Sequence, residues 1–76
     1  MGWWALLDEN RQLVLADMCF NMGITRLLTF KRFLSYAMAG DYPKAAYEML
    51  QSVWAAQVGK RAVTLAAMMR EGTPTA

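Results

Sequence analysis

The arrangement of apolar residues is the feature that most restricts how this chain can fold. Apolar residues occur in helix-length runs separated by Gly, Pro and helix-capping residues, and period-two alternation is missing throughout. Such alternation is typical of half-buried strands, whereas runs of this length are typical of helices. The sequence therefore predicts an all-α fold, a compact domain of five or six short helices around a central apolar helix.

The central apolar helix is predicted at residues 9–22. Asp8 precedes it as the expected N-cap, and Gly23 follows it at the position where Gly commonly ends a helix. Spacings of seven and four place three polar residues on one face, and these are Asn10, Asp17 and Asn21. Apolar residues cover most of the remaining surface, so we expect this helix to be packed on several sides.

The rest of the chain predicts shorter helices joined by tight turns. After about one helical turn at 24–28, Thr29, Asp41 and Ser52 are each expected to cap a further helix. These helices are predicted at 30–39, from Asp41 to near residue 50, and from Ser52 to 58. A last helix is predicted at 60–70, and its inward-facing residues are expected to be Ala62, Leu65, Ala66 and Met69. The domain is expected to span residues 1–72, followed by a frayed tail at 73–76.

Composition excludes several functional classes. The chain has 76 residues, with one Cys and no His, so it holds no His-based triad or zinc signature, and we expect no cofactor and no metal. A net charge of +2 from scattered basic residues is too weak to predict nucleic-acid binding. No apolar stretch reaches the ~18–20 residues that span a bilayer, and the start lacks the positive segment of a signal peptide.

The carboxylates do not form an obvious catalytic pair. Glycoside hydrolysis needs two carboxyl groups about 5–9.5 Å apart across the substrate. Glu9 and Asp17 share a helix, but they are separated by about 12 Å along its axis and point to different faces. Asp8, Asp41 and Glu71 lie at helix ends. We therefore predict no catalytic residue in this chain.

Three side chains are better candidates for binding. Trp54 either fills the core or stacks on a sugar ring. Asn21 either caps the end of the first helix or reaches a ligand. Arg61 lies near the start of the last helix, where the helix dipole disfavours a cation. It therefore either meets a carboxylate of a partner or stays solvated.

An ordered series of residues with fixed spacing resembles the phage-type lysozymes of glycoside hydrolase family 24. The resemblance covers nearly the whole chain. Its elements are the run 17–23 (DMCFNMG), Phe30 and Leu34, Gly40-Asp41-Tyr42 with Ala45-Ala46, then Ser52, Trp54, Gln57, Gly59 and Arg61-Ala62, and finally Arg70 and Gly72.

The resemblance implies a two-lobe muramidase that cleaves the β-1,4 bond between N-acetylmuramic acid and N-acetylglucosamine in peptidoglycan. This chain resembles the C-terminal helical lobe of that family. The family's catalytic Glu, Asp or Cys, and Thr belong to the N-terminal lobe, and no segment here matches them. The chain is therefore expected to form one wall of the glycan cleft and to be inactive alone.

Four substrate-binding residues follow from the resemblance. Trp54 resembles the family tryptophan on the cleft wall, and Asn21 stands where the family has a Gln or Asn facing the cleft. Arg61 resembles the arginine that pairs across the cleft with the catalytic Glu, a partner expected to be missing here. Gln57 also matches, in a role that is either binding or structural.

The expected partners follow from the same resemblance and from a hydrophobic content of 57%. They are a peptidoglycan glycan strand, and either an N-terminal lysozyme lobe or a second copy that covers exposed apolar surface around Trp3 and Trp4. The sequence leaves the localisation unknown; the chain is expected to be made in the cytoplasm of a phage-carrying bacterium, with the cell wall as target. The alternative is a small helical protein-interaction module with no carbohydrate role.

Overall fold

Six α-helices and a short 3₁₀-helix make up the described part of the chain. The structure is a computed structural model that describes residues 2–73. The 3₁₀-helix Gly2–Leu6 precedes α1 (Glu9–Met22), α2 (Ile24–Leu27), α3 (Lys31–Ala39), α4 (Tyr42–Leu50), α5 (Val53–Val58) and α6 (Lys60–Glu71). No strand occurs among these residues, which confirms the all-α prediction. Residues 74–76 of the predicted tail lie outside the described residues.

Local capping chemistry places most of the helix starts where the sequence predicts them. Asp8, Asp41 and Ser52 each accept a hydrogen bond from the backbone amide three residues further on. These side chains satisfy amides that have no partner within the first helical turn. Gly23 ends α1 with φ +84°, a conformation that costs Gly little.

The predicted capping role of Thr29 is wrong. The Thr29 hydroxyl donates to the carbonyl of Arg26 at 2.6 Å, so Thr29 stabilises the turn that precedes it. The N-cap of α3 is Phe30, with no side-chain hydrogen bond to the helix. A threonine between two short helices can form a side-chain hydrogen bond with the backbone of either helix. Here the bond is formed with the preceding turn.

Helix α6, together with α4 and rather than α1, lies at the centre of the packing. It packs against α1, α4 and α5, while α3 packs on α4 and α2 packs on α1. The side of α6 predicted to face inward is fully confirmed, since it buries Ala62, Leu65, Ala66 and Met69. None of the helices within residues 2–73 has the length and apolar character needed to cross a bilayer.

Helix α1 is packed on one side only, which corrects the prediction that it is enclosed on several sides. Val14, Leu15 and Met18 are buried, whereas Leu13 is 51% and Phe20 is 91% exposed. The sequence pattern shows that α1 is apolar around most of its circumference. It does not show whether another element of the same chain covers each side.

An arginine on α1 joins the start of that helix to the end of α6. Arg11 donates from Nε to the carbonyl of Met69 at 2.6 Å and from Nη2 to the carbonyl of Arg70 at 2.9 Å. Its guanidinium carbon lies 3.5 Å from the ring centroid of Tyr42. Gly72 has φ +70°, and a Cβ there would lie 2.7 Å from Arg11 Nη1. Arg11 therefore satisfies the last carbonyls of α6, where a cation is also favoured.

Asp8 completes the same junction. Its carboxylate accepts from Arg11 Nη1 at 3.0 Å, from the Thr73 amide at 2.7 Å and from the Thr73 hydroxyl at 3.0 Å. The Thr73 hydroxyl also accepts from the Asn10 amide at 2.9 Å. Thr73, predicted to begin a frayed tail, is therefore held against the start of α1.

Asp8 should make folding stability pH-dependent. Partial burial by itself raises the pKa of Asp8, but the amides of Arg11 and Thr73, the Thr73 hydroxyl and the Arg11 charge outweigh it and lower the pKa. A lowered folded-state pKa contributes stability that is fully present above about pH 4 and is lost as pH falls through the folded value. We expect Asp8→Asn to flatten the acid limb of the free energy of unfolding, measured by urea titration.

Asp41→Asn is the matched control, because Asp41 also caps a helix but contacts only the amide and the ammonium group of Lys44. An equal flattening in both variants would contradict a special contribution from Asp8.

Candidate functional site

An open groove of about 710 Å³ lies between α1 and α6. Its apolar part consists of Leu13, Ala16, Phe20, Leu65 and Met68, and its polar part consists of Asp17, Lys60, Arg61 and Thr64. The exposed side of α1 supplies one wall, and α6 supplies the other. A mainly apolar concavity with a few convergent polar groups is the usual form of a ligand site.

Three polar side chains form one connected cluster beside this groove. Arg61 Nη2 forms an ion pair with Asp17 Oδ2, and Arg61 Nε donates to Asp17 Oδ1 at 3.4 Å. Asn21 Nδ2 donates to Asp17 Oδ1 at 2.6 Å and to the Asp17 carbonyl at 2.9 Å. Asp17 therefore connects Asn21 and Arg61, two of the predicted binding residues.

The ion pair also corrects an expectation about Arg61. The resemblance implies that its carboxylate partner is missing from this chain, but Asp17 provides one from 44 residues away in sequence. The Arg61 side chain remains 60% exposed, against 19% for Asp17. Arg61 is therefore paired with Asp17 and is still largely exposed, so much of its guanidinium faces solvent.

Asp17 is the residue of this cluster that sequence reasoning did not select. Its i, i+4 spacing to Asn21 predicts contact along one helix face, and that part is confirmed. The contact with Arg61 joins two helices that are distant in sequence. No local pattern predicts which face of α6 lies against α1.

Trp54 lies in the core, which corrects its predicted place on the cleft wall. The residue is 1% exposed and belongs to the main hydrophobic cluster. With its ring enclosed, it has no free face on which a sugar can stack. Its indole N–H has no hydrogen-bond partner in the described part of the chain.

Gln57 is exposed on α5 and does not line the groove. Its Oε1 accepts from Arg26 Nη2 at 3.4 Å, a contact between α5 and α2. Of the predicted binding residues, the structure thus connects Asn21 with Arg61, buries Trp54 and directs Gln57 to a different neighbour.

The carboxylates are engaged mainly in structural contacts. Asp8 and Asp41 cap helices, Asp17 pairs with Arg61, and Glu48 lies 3.6 Å from Arg32 Nε. The lowered pKa of Asp8 is the opposite of what a general acid needs. Within residues 2–73, no group of three His, Cys, Asp or Glu residues could hold a metal ion.

A second, smaller pocket lies on the other side of α1. It has a volume of about 280 Å³ and is lined by Trp4, Leu15, Ala16, Cys19, Ile24 and Leu27. Cys19, which lines this pocket, is half-buried. This pocket is almost entirely apolar and offers no charged group that could orient a ligand.

Curated relatives of this chain carry lysozyme names. The Dictyostelium discoideum proteins named "Probable T4-type lysozyme 2" and "Probable T4-type lysozyme 1" are 34% and 33% identical to it over 67 residues. The "Pre-baseplate central spike protein Gp5" of Enterobacteria phage T4 is 34% identical over 59 residues, which cover 78% of this chain and 10% of that protein. No protein-family model and no solved structure matches.

These similarities, together with the all-α fold, define the class. The chain is a domain related to the phage-type lysozymes. The matched region covers 88% of this chain but 39% of the length of each T4-type lysozyme from Dictyostelium discoideum.

Replacing Trp54 tests its assignment to the core. We expect Trp54→Ala to lower the free energy of unfolding by about 3–5 kcal/mol, because it leaves a large cavity in a packed interior. Val53→Ala is the matched control, since Val53 is the preceding residue and is 67% exposed. Urea denaturation followed by circular dichroism measures both. Equal, small effects would place Trp54 outside the core.

Proposed function

We propose that this chain acts as the C-terminal helical lobe of a phage-type lysozyme and forms one wall of the cleft that binds the peptidoglycan glycan strand. The observation that carries this proposal is the Asp17–Arg61–Asn21 cluster beside an open groove, in a chain similar to part of T4-type lysozymes. The catalytic acid belongs to a different segment, which packs against this wall.

The cluster suits recognition of a polar, uncharged or weakly acidic chain such as a glycan strand. Arg61 has five N–H donors, and Asp17 occupies two of them. The remainder face solvent and can donate to hydroxyl, acetamido or carboxylate oxygens. Asn21 uses its Nδ2 on Asp17, and no hydrogen bond from the described residues reaches its Oδ1, which can accept from a sugar hydroxyl.

Asp17 prepares both side chains for this task. Because it holds Arg61 and Asn21 by direct hydrogen bonds, neither must be immobilised when ligand binds, which lowers the entropic cost of binding. The apolar groove wall at Leu13 and Leu65 offers contact area for the less polar faces of a sugar ring.

A helical protein-interaction module is the second candidate. The observation in its favour is Phe20, which is 91% exposed beside the groove. An aromatic ring in that position is typical of a binding surface for another polypeptide. The burial of Trp54 also removes one sugar-stacking residue from the first proposal.

Binding of muropeptides or chitin oligosaccharides distinguishes the two candidates. We expect chemical-shift changes at Asp17, Asn21 and Arg61 in a heteronuclear NMR titration. Arg61→Ala should weaken binding by about tenfold or more, because a hydrogen bond to a charged group is worth about 1.5 kcal/mol or more. Arg26→Ala, an exposed arginine outside the groove, should leave binding unchanged. The absence of any shift would favour the interaction module.

The isolated chain should not hydrolyse peptidoglycan. Asp17, the carboxylate in the groove, is paired with Arg61 and faces no second carboxylate across a substrate-sized gap. The groove therefore lacks the two facing carboxylates that glycoside hydrolysis requires. Release of soluble muropeptides from purified peptidoglycan measures this. Turnover that disappears in Glu9→Gln would contradict the proposal, since Glu9 then supplies the acid.

A further inference from the structure

The outward side of α6 carries a regular stripe of residues that no described element covers. Lys60, Thr64, Ala67 and Glu71 recur at spacings of four, three and four, which places them on one face of the helix. Beside them Val63 is 61% exposed. The buried residues of α6 lie on the opposite side, so this face is open, and its residues Lys60 and Thr64 also line the α1–α6 groove.

The two ends of this stripe carry opposite charges. Lys60 is the first residue of α6 and Glu71 is the last, about 16 Å apart at 1.5 Å per residue. Neither forms an ion pair within residues 2–73. A cation at a helix start and an anion at a helix end are both disfavoured by the helix dipole, so each position gains from a charge of the opposite sign.

We infer that this face of α6 binds a second copy of the chain in an antiparallel, two-fold arrangement. The two-fold axis passes between Thr64 and Ala67. Lys60 of each copy then lies opposite Glu71 of the other, and Thr64 lies opposite Ala67. The Lys60–Glu71 ion pair therefore forms twice in the dimer, and each pair brings a favourable charge to a helix end. This inference does not depend on the proposed glycan function.

The surface fits a second copy better than a partner of one charge sign. An isologous interface requires that one patch complement itself. Here the two-fold rotation places Lys60 of one copy opposite Glu71 of the other, so the opposite charges pair. A uniformly acidic or basic partner would leave one end of the stripe facing a like charge. Thr64 and Ala67 at the centre are small enough for helix axes to approach to about 8–10 Å.

A shallow concavity provides the remaining contact area. It has a volume of about 650 Å³ and is lined by Asn10, Val63, Thr64, Ala67 and Met68, among others. It shares Thr64 and Met68 with the α1–α6 groove, so the apolar surface continues from one to the other. Val63 lies on one flank of the stripe and Met68 on the other, so in the two-fold arrangement Val63 of one copy lies near Val63 of the other at one edge of the interface.

Sedimentation equilibrium of the full chain, from micromolar to millimolar concentration, tests the inference. We expect a reversible monomer–dimer equilibrium. Val63→Asp should raise the dimer dissociation constant by at least about tenfold, because it places an unpaired carboxylate in the interface. Val53→Asp is the matched control at an equally exposed valine of α5, and it should leave the constant unchanged.

Charge reversal tests the antiparallel register. Lys60→Glu alone and Glu71→Lys alone should each weaken the dimer, because each homodimer then sets like charges opposite one another. An equimolar mixture of the two single variants should dimerise again, as should the double variant. Thermal unfolding by circular dichroism checks that all variants are folded.

A chain that stays monomeric at every concentration overturns the inference. So does a dimer that is unaffected by Val63→Asp, since it must use another surface. Failure of the mixed single variants to restore the dimer overturns the antiparallel pairing of Lys60 with Glu71.

Discussion

The junction between the start of α1 and the end of α6 is the contact on which the rest of the structure depends. Arg11 donates to two carbonyls at the end of α6, and Asp8 binds both Arg11 and Thr73. These bonds join segments about sixty residues apart in sequence. They satisfy carbonyls that no helix can satisfy within itself, and they hold the start of α1 against the end of α6.

The position of α6 at the centre follows from its small residues. Ala62 and Ala66 on α6, with Ala45 and Ala46 on α4, are nearly inaccessible to solvent and lie on the two helices with the most extensive mutual contact. Alanine pairs bring helix axes close together, so Met49, Trp54 and Met69 can close the core around them. Because α6 uses one side for this packing, its other side and the flank facing α1 remain at the surface.

This arrangement gives the lysozyme-related chain an open groove with a polar cluster beside it, and no second carboxylate among the described residues that line the groove. Asp17 neutralises part of the Arg61 charge and orients Asn21, and the three form a polar strip against apolar groove walls. Such a strip can recognise hydroxyl and amide groups. It holds no pair of carboxylates across a substrate, which glycoside hydrolysis requires.

The sequence alone determined the local features of this protein. Capping by Asp8, Asp41 and Ser52, the helix end at Gly23 and the inward face of α6 depend on residues within a few positions of one another, where spacing dictates geometry. The sequence also indicated the relation to phage-type lysozymes. The sequence predicted Thr29 as the cap of α3, whereas its hydroxyl bonds to the preceding turn. The segments on both sides of Thr29 offer a backbone partner within reach.

Tertiary structure decided the features that depend on which helices are in contact and through which of their faces. It buried Trp54, left Phe20 exposed, placed α4 and α6 rather than α1 at the centre, and gave Arg61 a partner in Asp17. Each outcome follows from contacts between segments far apart along the chain, and periodicity carries no information about them. An apolar side of a helix has the same sequence pattern whether it packs against another helix or is exposed to solvent. Only the packed arrangement distinguishes the two cases.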